Sequence, residues 1–187
     1  MSADEILLDV EDRMEKAIQH LKQSLAGIRT GRANPGLVDS LKVEVYGSLT
    51  PMKQLASVGA PEPQQLLIRP YDPSTIKDIE RAIINSGLGF APQNDGRVIR
   101  IQIPPLTTET RKKLVARIRE LTEEAKVSIR NVRRDGNKAA ETAEKEGELS
   151  EDDCKRLKEE IQELTKKYEG IASDLAKKRE DEVMEGA

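Results

Sequence analysis

The chain has no tryptophan, one phenylalanine and three tyrosines in 187 residues, so aliphatic side chains must fill its core. Its single histidine, His20, excludes a metal site built from several histidines and leaves nothing from which to assemble a Ser-His-Asp triad. His20 lies beside an apolar helical stripe, where boundary packing or exposure is the simpler role. A single cysteine, Cys154, excludes an internal disulfide and a CxxC pair, and fits a reducing cytosol. Asp152 and Asp153 beside it oppose a reactive thiolate and favour partial burial. No stretch approaches the roughly 18 consecutive apolar residues of a membrane span. The opening "MSADEILLDVEDRMEKAIQH" has acids where a secretory or transit peptide would have bases. The reading is a soluble cytoplasmic protein that needs no cofactor.

Phosphate-loop and calcium signatures are missing as well. The glycines of "SGLGFAPQNDGR" match neither GxGxxG nor a P-loop, and Asp95-Gly96 reads as a hairpin turn. The acids Glu148, Glu151, Asp152 and Asp153 lack the EF-hand order and suit a helix start. No catalytic residue is assigned.

Charge and helical period are abundant. Charged residues make up 35% of the chain and hydrophobic ones 36%, a balance that favours long helices. Residues 3–29 space Leu7, Val10, Met14, Ala17, Leu21, Leu25 and Ile28 three or four apart. A second helix starts at Thr107 or Thr108 and carries Leu114, Ile118, Leu121, Ala125, Ile129 and Val132, continuing through Ala139 and Ala143. A third starts near Ser150 and repeats Leu157, Ile161, Leu164, Tyr168, Ile171 and Leu175 at an average of about 3.5 residues, the period of helices packed at a shallow angle. The short turn at Gly147 makes the last two an antiparallel hairpin. The tail "KKREDEVMEGA" is expected to fray.

All nine prolines lie between residues 31 and 106, and there the period changes. "LKVEVYG" and "RVIRIQIP" alternate as strands, "QLLIRPY" is a short apolar run and "DPSTIKDIERAIINSG" is a capped helix. The expected fold class is α+β: a long antiparallel, coiled-coil-like three-helix bundle with an inserted small β/α/β domain. The bundle takes residues 1–30 and 106–187 and the insertion residues 31–105. Two connections, near 30–34 and 103–106, form a hinge at Thr30, Gly31, Arg32, Pro104 and Pro105; the alternative is two rigidly packed domains.

Net charge is −3, which argues against indiscriminate coating of nucleic acid, but the distribution is uneven. Residues 107–140 hold ten bases against five acids, and residues 141–187 nine against sixteen, so a basic helix precedes an acidic one. On a projection of about 100° per residue with Arg111 at zero, Lys112, Arg119, Lys126, Arg130, Arg133, Arg134 and Asn137 fall between about 40° and 140°. The apolar stripe falls mostly between about 280° and 20°. From Arg119 to Asn137 the basic arc is about 27 Å long. A solvated face usually mixes signs at i, i+4, yet only Glu123 interrupts this one. Phosphate contact with RNA or DNA is the favoured reading, because arginine forks suit phosphate and aromatics for base stacking are scarce. A solvated face is the plain alternative. A helical adaptor using the acidic third helix to hold a basic protein is another.

The segments "GIRTGRANPGLVD", "YGSLTPMKQLASV", "IPPLTTETRKKL", "VSIRNVRRDGNK" and "LSEDD" resemble bacterial ribosome recycling factors, in order and from end to end. The resemblance implies an L-shaped molecule broadly like tRNA, working as a monomer on the ribosome. With elongation factor G and GTP it would split the post-termination complex, with no chemistry of its own. It further implies that Arg29, Arg32, Arg111, Arg130, Arg133 and Arg134 touch large-subunit rRNA, while the insertion faces the small subunit and elongation factor G. Gly136 departs from the pattern, in which alanine is common; glycine inside a helix costs about 0.5–1 kcal/mol.

Overall fold

The three helical segments form three long helices, and side-chain caps set all three starts, the Ser2 hydroxyl accepting from the amide of Glu5 at 3.2 Å at the first. In the computed structural model, which describes residues 1–185, these are α1 (Ala3–Ala26), α4 (Thr108–Lys145) and α5 (Glu151–Glu185). The Thr107 hydroxyl accepts from the amide of Thr110 at 3.1 Å, and the Ser150 hydroxyl from that of Asp153 at 3.0 Å, each satisfying an otherwise unpaired first-turn donor. Gly147, at φ +75, lets the chain leave α4 while the amide of Glu148 returns to the carbonyl of Ala143.

Two expectations need correction. The first helix stops at Ala26 rather than at residue 29, because Gly27 follows and glycine is a poor helix former. The tail does not fray at residue 177: α5 stays helical through Glu185, with Val183 fully buried, and an apolar side chain withdrawn from water fixes that last turn. Gly186 and Ala187 lie outside the described residues.

Contacts divide the chain into two units, one of residues 1–25 and 115–181, the other of residues 26–114 with the segment from Glu182. In the first unit α1 buries Ile6, Val10, Met14, Ile18, Leu21 and Leu25. Leu7 and Ala17, placed on the stripe from sequence, are only half-buried, and Ile6 and Ile18 take the fully buried places. α4 faces this stripe with Ile118, Leu121, Ala125, Ile129, Val132, Gly136, Ala140 and Ala143.

Ion pairs show the register of α4 against α5. Arg119 meets Glu180, Arg130 meets Glu169 and Lys158 meets Glu141, so eleven residues forward on α4 match eleven backward on α5. The two helices are antiparallel over that length. Met1 to Glu148 at 2.6 Å and Arg13 to Asp135 at 2.8 Å, forward on one chain segment and backward on the other, give α1 the same relation to α4.

Among the described residues the insertion in the second unit holds six strands, two α-helices and two single-turn 3-10 helices. β1 (Lys42–Val45) and β2 (Ser48–Pro51) form a hairpin whose turn residues Tyr46 and Gly47 both have positive φ, as a type I′ turn requires. After the short α2 (Met52–Leu55) come β3 (Ala56–Glu62), β4 (Gln65–Pro70), α3 (Ile76–Ile84), β5 (Pro92–Asn94) and β6 (Ile99–Gln102). The second sheet is antiparallel in the order β3-β4-β6-β5. Leu66 sits opposite Ile101 and Ile68 opposite Ile99, and these four pack with Ile76, Ile79 and Ile83 of α3.

The sequence showed β1 and β6 by alternation and β4 as a short apolar run, but not β2, β3 or β5. β3 and β5 are the edges of their sheet and carry Pro61 and Pro92. An edge strand tolerates proline because one side of its backbone is unpaired, and the same prolines erase the period-2 signal. Asp95 and Gly96 do make the β5–β6 turn: the Asp95 carboxylate accepts from the amides of Arg97 and Val98, both at 2.9 Å, and Gly96 has φ +92.

Candidate nucleic-acid interface

The apolar stripe of α4 is buried in its unit, and the basic arc adjoins it on the side toward solvent. Arg119, Lys126, Arg130, Arg133, Arg134 and Asn137 follow one another along it, Arg119 and Arg134 exposed and the other four half-buried. Lys112, exposed, and Arg111, half-buried, stand earlier on the same helix.

The cations of this arc differ in what holds them. Arg119 Nε lies 3.1 Å from Glu180 Oε1, and Arg130 lies 2.6 Å from Glu123 and 3.9 Å from Glu169. Arg133 and Arg134 have no carboxylate in ion-pair contact among the described residues, nor has Lys126. Asp135, beside them in sequence, projects about 100° or more away around the helix and pairs with Arg13 of α1 at 2.8 Å, and no acid stands three or four residues from Arg133 or Arg134. Arg119 and Arg130 are thus compensated, whereas Lys126 and the C-terminal Arg133 and Arg134 are not. Exposed pairs such as Arg119–Glu180 contribute only about 0–1 kcal/mol, so a polyanion can displace the glutamates at small cost. Asn137 adds a buried side-chain oxygen with no hydrogen-bond partner.

The other sequence-selected residues belong to the second unit. The Arg29 guanidinium lies 5.9 Å from the centre of the Phe90 ring, a cation–π distance. Arg32 is exposed. Arg111 donates to the carbonyl of Leu106 at 3.3 Å, while its Nε is buried without a partner. Thr30 and Gly31 are buried, Gly31 at φ +77, and Pro104 and Pro105 are exposed between β6 and α4. Sequence reasoning missed the clamp of Arg13 on Asp135, for which residues 122 positions apart give no periodic signal. It also missed the part of Glu169 and Glu180, visible only once α5 is set antiparallel beside α4.

Among the described residues, no three of His, Cys, Asp and Glu stand together to hold a metal, and no helix is long and apolar enough to cross a membrane. His20 is exposed. Cys154 is buried, and that burial, followed by the Glu144 carboxylate, raises its thiol above the ordinary range. The arc sets a line of cations along one face of α4, among them Lys126, Arg133 and Arg134 without a carboxylate partner among the described residues.

The family model for ribosome recycling factor matches residues 21–184, and the chain belongs to that family of non-catalytic translation factors, which act in ribosome recycling. It is 72% identical over 140 residues to the ribosome-recycling factor of Rhodopirellula baltica, covering 75% of each chain. It is 50% identical over 181 residues to that of Halalkalibacterium halodurans, covering 97% of this chain and 98% of the other. A solution structure of the ribosome recycling factor is similar at TM-score 0.78 and 40% identity, over 99% of this chain and 98% of that one. A model of the T. thermophilus factor, with E. coli elongation factor G on the E. coli post-termination complex, is similar at TM-score 0.70 and 44% identity, over 98% and 99%.

Proposed function

We propose that the protein recycles ribosomes in the cytoplasm as a monomer, with the basic arc of α4 held on large-subunit rRNA. The observation that carries this is the uncompensated pair Arg133 and Arg134, which have no acid three or four residues away along α4 and no carboxylate in ion-pair contact among the described residues. Arginine forks match phosphate oxygens in pairs, and an arc about 27 Å long spans several nucleotides. Lys112, Arg119, Lys126, Arg130 and Asn137 extend the contact along α4, and Arg29, Arg32 and Arg111 add to it by the family resemblance. The insertion, residues 31–105, faces the small subunit and elongation factor G. It swings about Thr30, Gly31, Arg32, Pro104 and Pro105 when that GTPase acts, and the bundle is driven against the contacts that bridge the subunits. A similar factor has been placed with elongation factor G on a post-termination complex, which supports the choice of partner.

The test is Arg133→Glu in the full chain. Subunit pelleting should show weaker binding to isolated large subunits, and light scattering should show no splitting, while the circular dichroism spectrum is unchanged. In the parent, a salt titration should give a steep loss of affinity, since each phosphate neutralised releases counterions. Unchanged pelleting of the Arg133→Glu protein would remove this arc as the RNA contact.

A further inference from the structure

The bundle carries a second surface of opposite character. Between α1 and α5 lies a groove of about 780 Å³ whose floor is made by Leu7 and Leu164. Glu11 lines it from α1, and Glu159, Glu160 and Glu163 line it from α5. Arg156 and Lys167 stand at its ends, Arg156 turned 3.7 Å from Asp153 and Lys167 lying 5.4 Å from the centre of the Tyr168 ring. Glu163 meets Lys166 at 3.8 Å, but Glu11, Glu159 and Glu160 have no cation in ion-pair contact among the described residues. An apolar floor in contact with water, edged by three uncompensated carboxylates, is complementary to one kind of occupant. Its apolar side chains would cover Leu7 and Leu164 and its bases would answer the glutamates. Nucleic acid is excluded by the sign of the charge, as are an acidic peptide and an anionic lipid surface.

We propose that this groove docks a basic amphipathic helix of a protein partner, a contact separate from the arc on α4. From Arg156 to Lys167 the α5 wall is about 16 Å long, or three helical turns. That length fits apolar anchors at i, i+3 or i+4, and i+7 with lysine or arginine between them, the usual helix-in-groove pattern. Because the floor is apolar, binding keeps a component that salt does not screen. In this it differs from phosphate contact on the other face.

The experiment uses the full chain and a synthetic helical peptide of about four turns, with leucine on one face and lysine on the other. The controls are a scrambled peptide of the same composition and one with glutamate in place of lysine. The amphipathic basic peptide should bind, the scrambled one about tenfold more weakly, and the acidic one not at all. Amide NMR shifts should move around residues 7–11 and 156–167. Glu159→Lys with Glu160→Lys should weaken binding about tenfold. Glu151→Lys with Asp152→Lys, the same charge change on exposed residues of α5 outside the groove, should leave it within about twofold. Equal loss in the two double variants, equal binding of the scrambled peptide, or shifts elsewhere would reduce the effect to diffuse attraction and overturn the proposal. So would absence of binding at high micromolar peptide. Self-association of the chain abolished by Glu159→Lys with Glu160→Lys would give the groove to a second copy instead.

Discussion

Replacing Gly136 by alanine adds one methyl group where α4 passes α1 and α5. On the present backbone that Cβ would stand 2.7 Å from Val10 Cγ2 and 3.1 Å from Ile161 Cδ1. Carbon atoms prefer about 3.5–4.0 Å, so the first contact falls about 0.8 Å short. Ile161 can yield by turning its terminal carbon. Val10 cannot, because it is branched at Cβ, stiff at χ1 and fully buried. Overpacking of this kind costs about 1–3 kcal/mol, against which alanine gains about 0.8–1.0 kcal/mol of helix propensity over glycine. Gly136→Ala should therefore lower stability by about 1 kcal/mol. In a Val10→Ala background the obstructing methyl is gone, and the same substitution should raise stability by about 1 kcal/mol. Urea unfolding followed by far-ultraviolet circular dichroism on the four proteins of this cycle measures the coupling, expected near 2 kcal/mol. A Gly136→Ala protein that gains its full helix propensity in the parent background would refute the close approach. Gly136, costly for α4 alone, is the position at which α1 and α5 can approach it closely.

Three further outcomes are expected. Gly31→Ala strains a residue at φ +77, at a cost of about 1 kcal/mol; if the connection must change shape during splitting, splitting should slow more than subunit binding weakens, and equal effects on both would argue against a required swing. Cys154, buried and with its thiol raised by burial and by Glu144, should react with a disulfide reagent only at the rate of unfolding, and fast reaction of the folded chain would contradict its placement. The hydrogen bond from Lys158 at 2.7 Å holds the Glu141 carboxyl below its ordinary range. Its stabilisation is present above that range and lost as pH falls through it, so Glu141→Gln should be the less stable protein at neutral pH, and the two curves should meet in acid.

The sequence was most informative where one period runs unbroken. The stripe from Ile118 to Ala143 defined α4 and, by exclusion, the arc of Arg119 to Arg134. The caps at Thr107 and Ser150 and the turns at Asp95 and Gly147 were readable because each requires a particular side-chain oxygen or a glycine over a few residues. β3 and β5 were not, because an edge strand escapes the alternation that a doubly paired strand keeps.

The residues alone thus determined which segments are helical, which face of each is apolar, and that basic and acidic charge are separated along the chain, since all of these are local properties of spacing. Only the tertiary structure decided which charges are free. Arg133 and Arg134 are uncompensated because no carboxylate of a neighbouring helix reaches them and none stands three or four residues away on α4, whereas Arg119 and Arg130 are balanced because α5 runs antiparallel and brings Glu180 and Glu169 alongside. A salt bridge depends on separations of a few ångströms, and those are set by how helices distant in sequence pack.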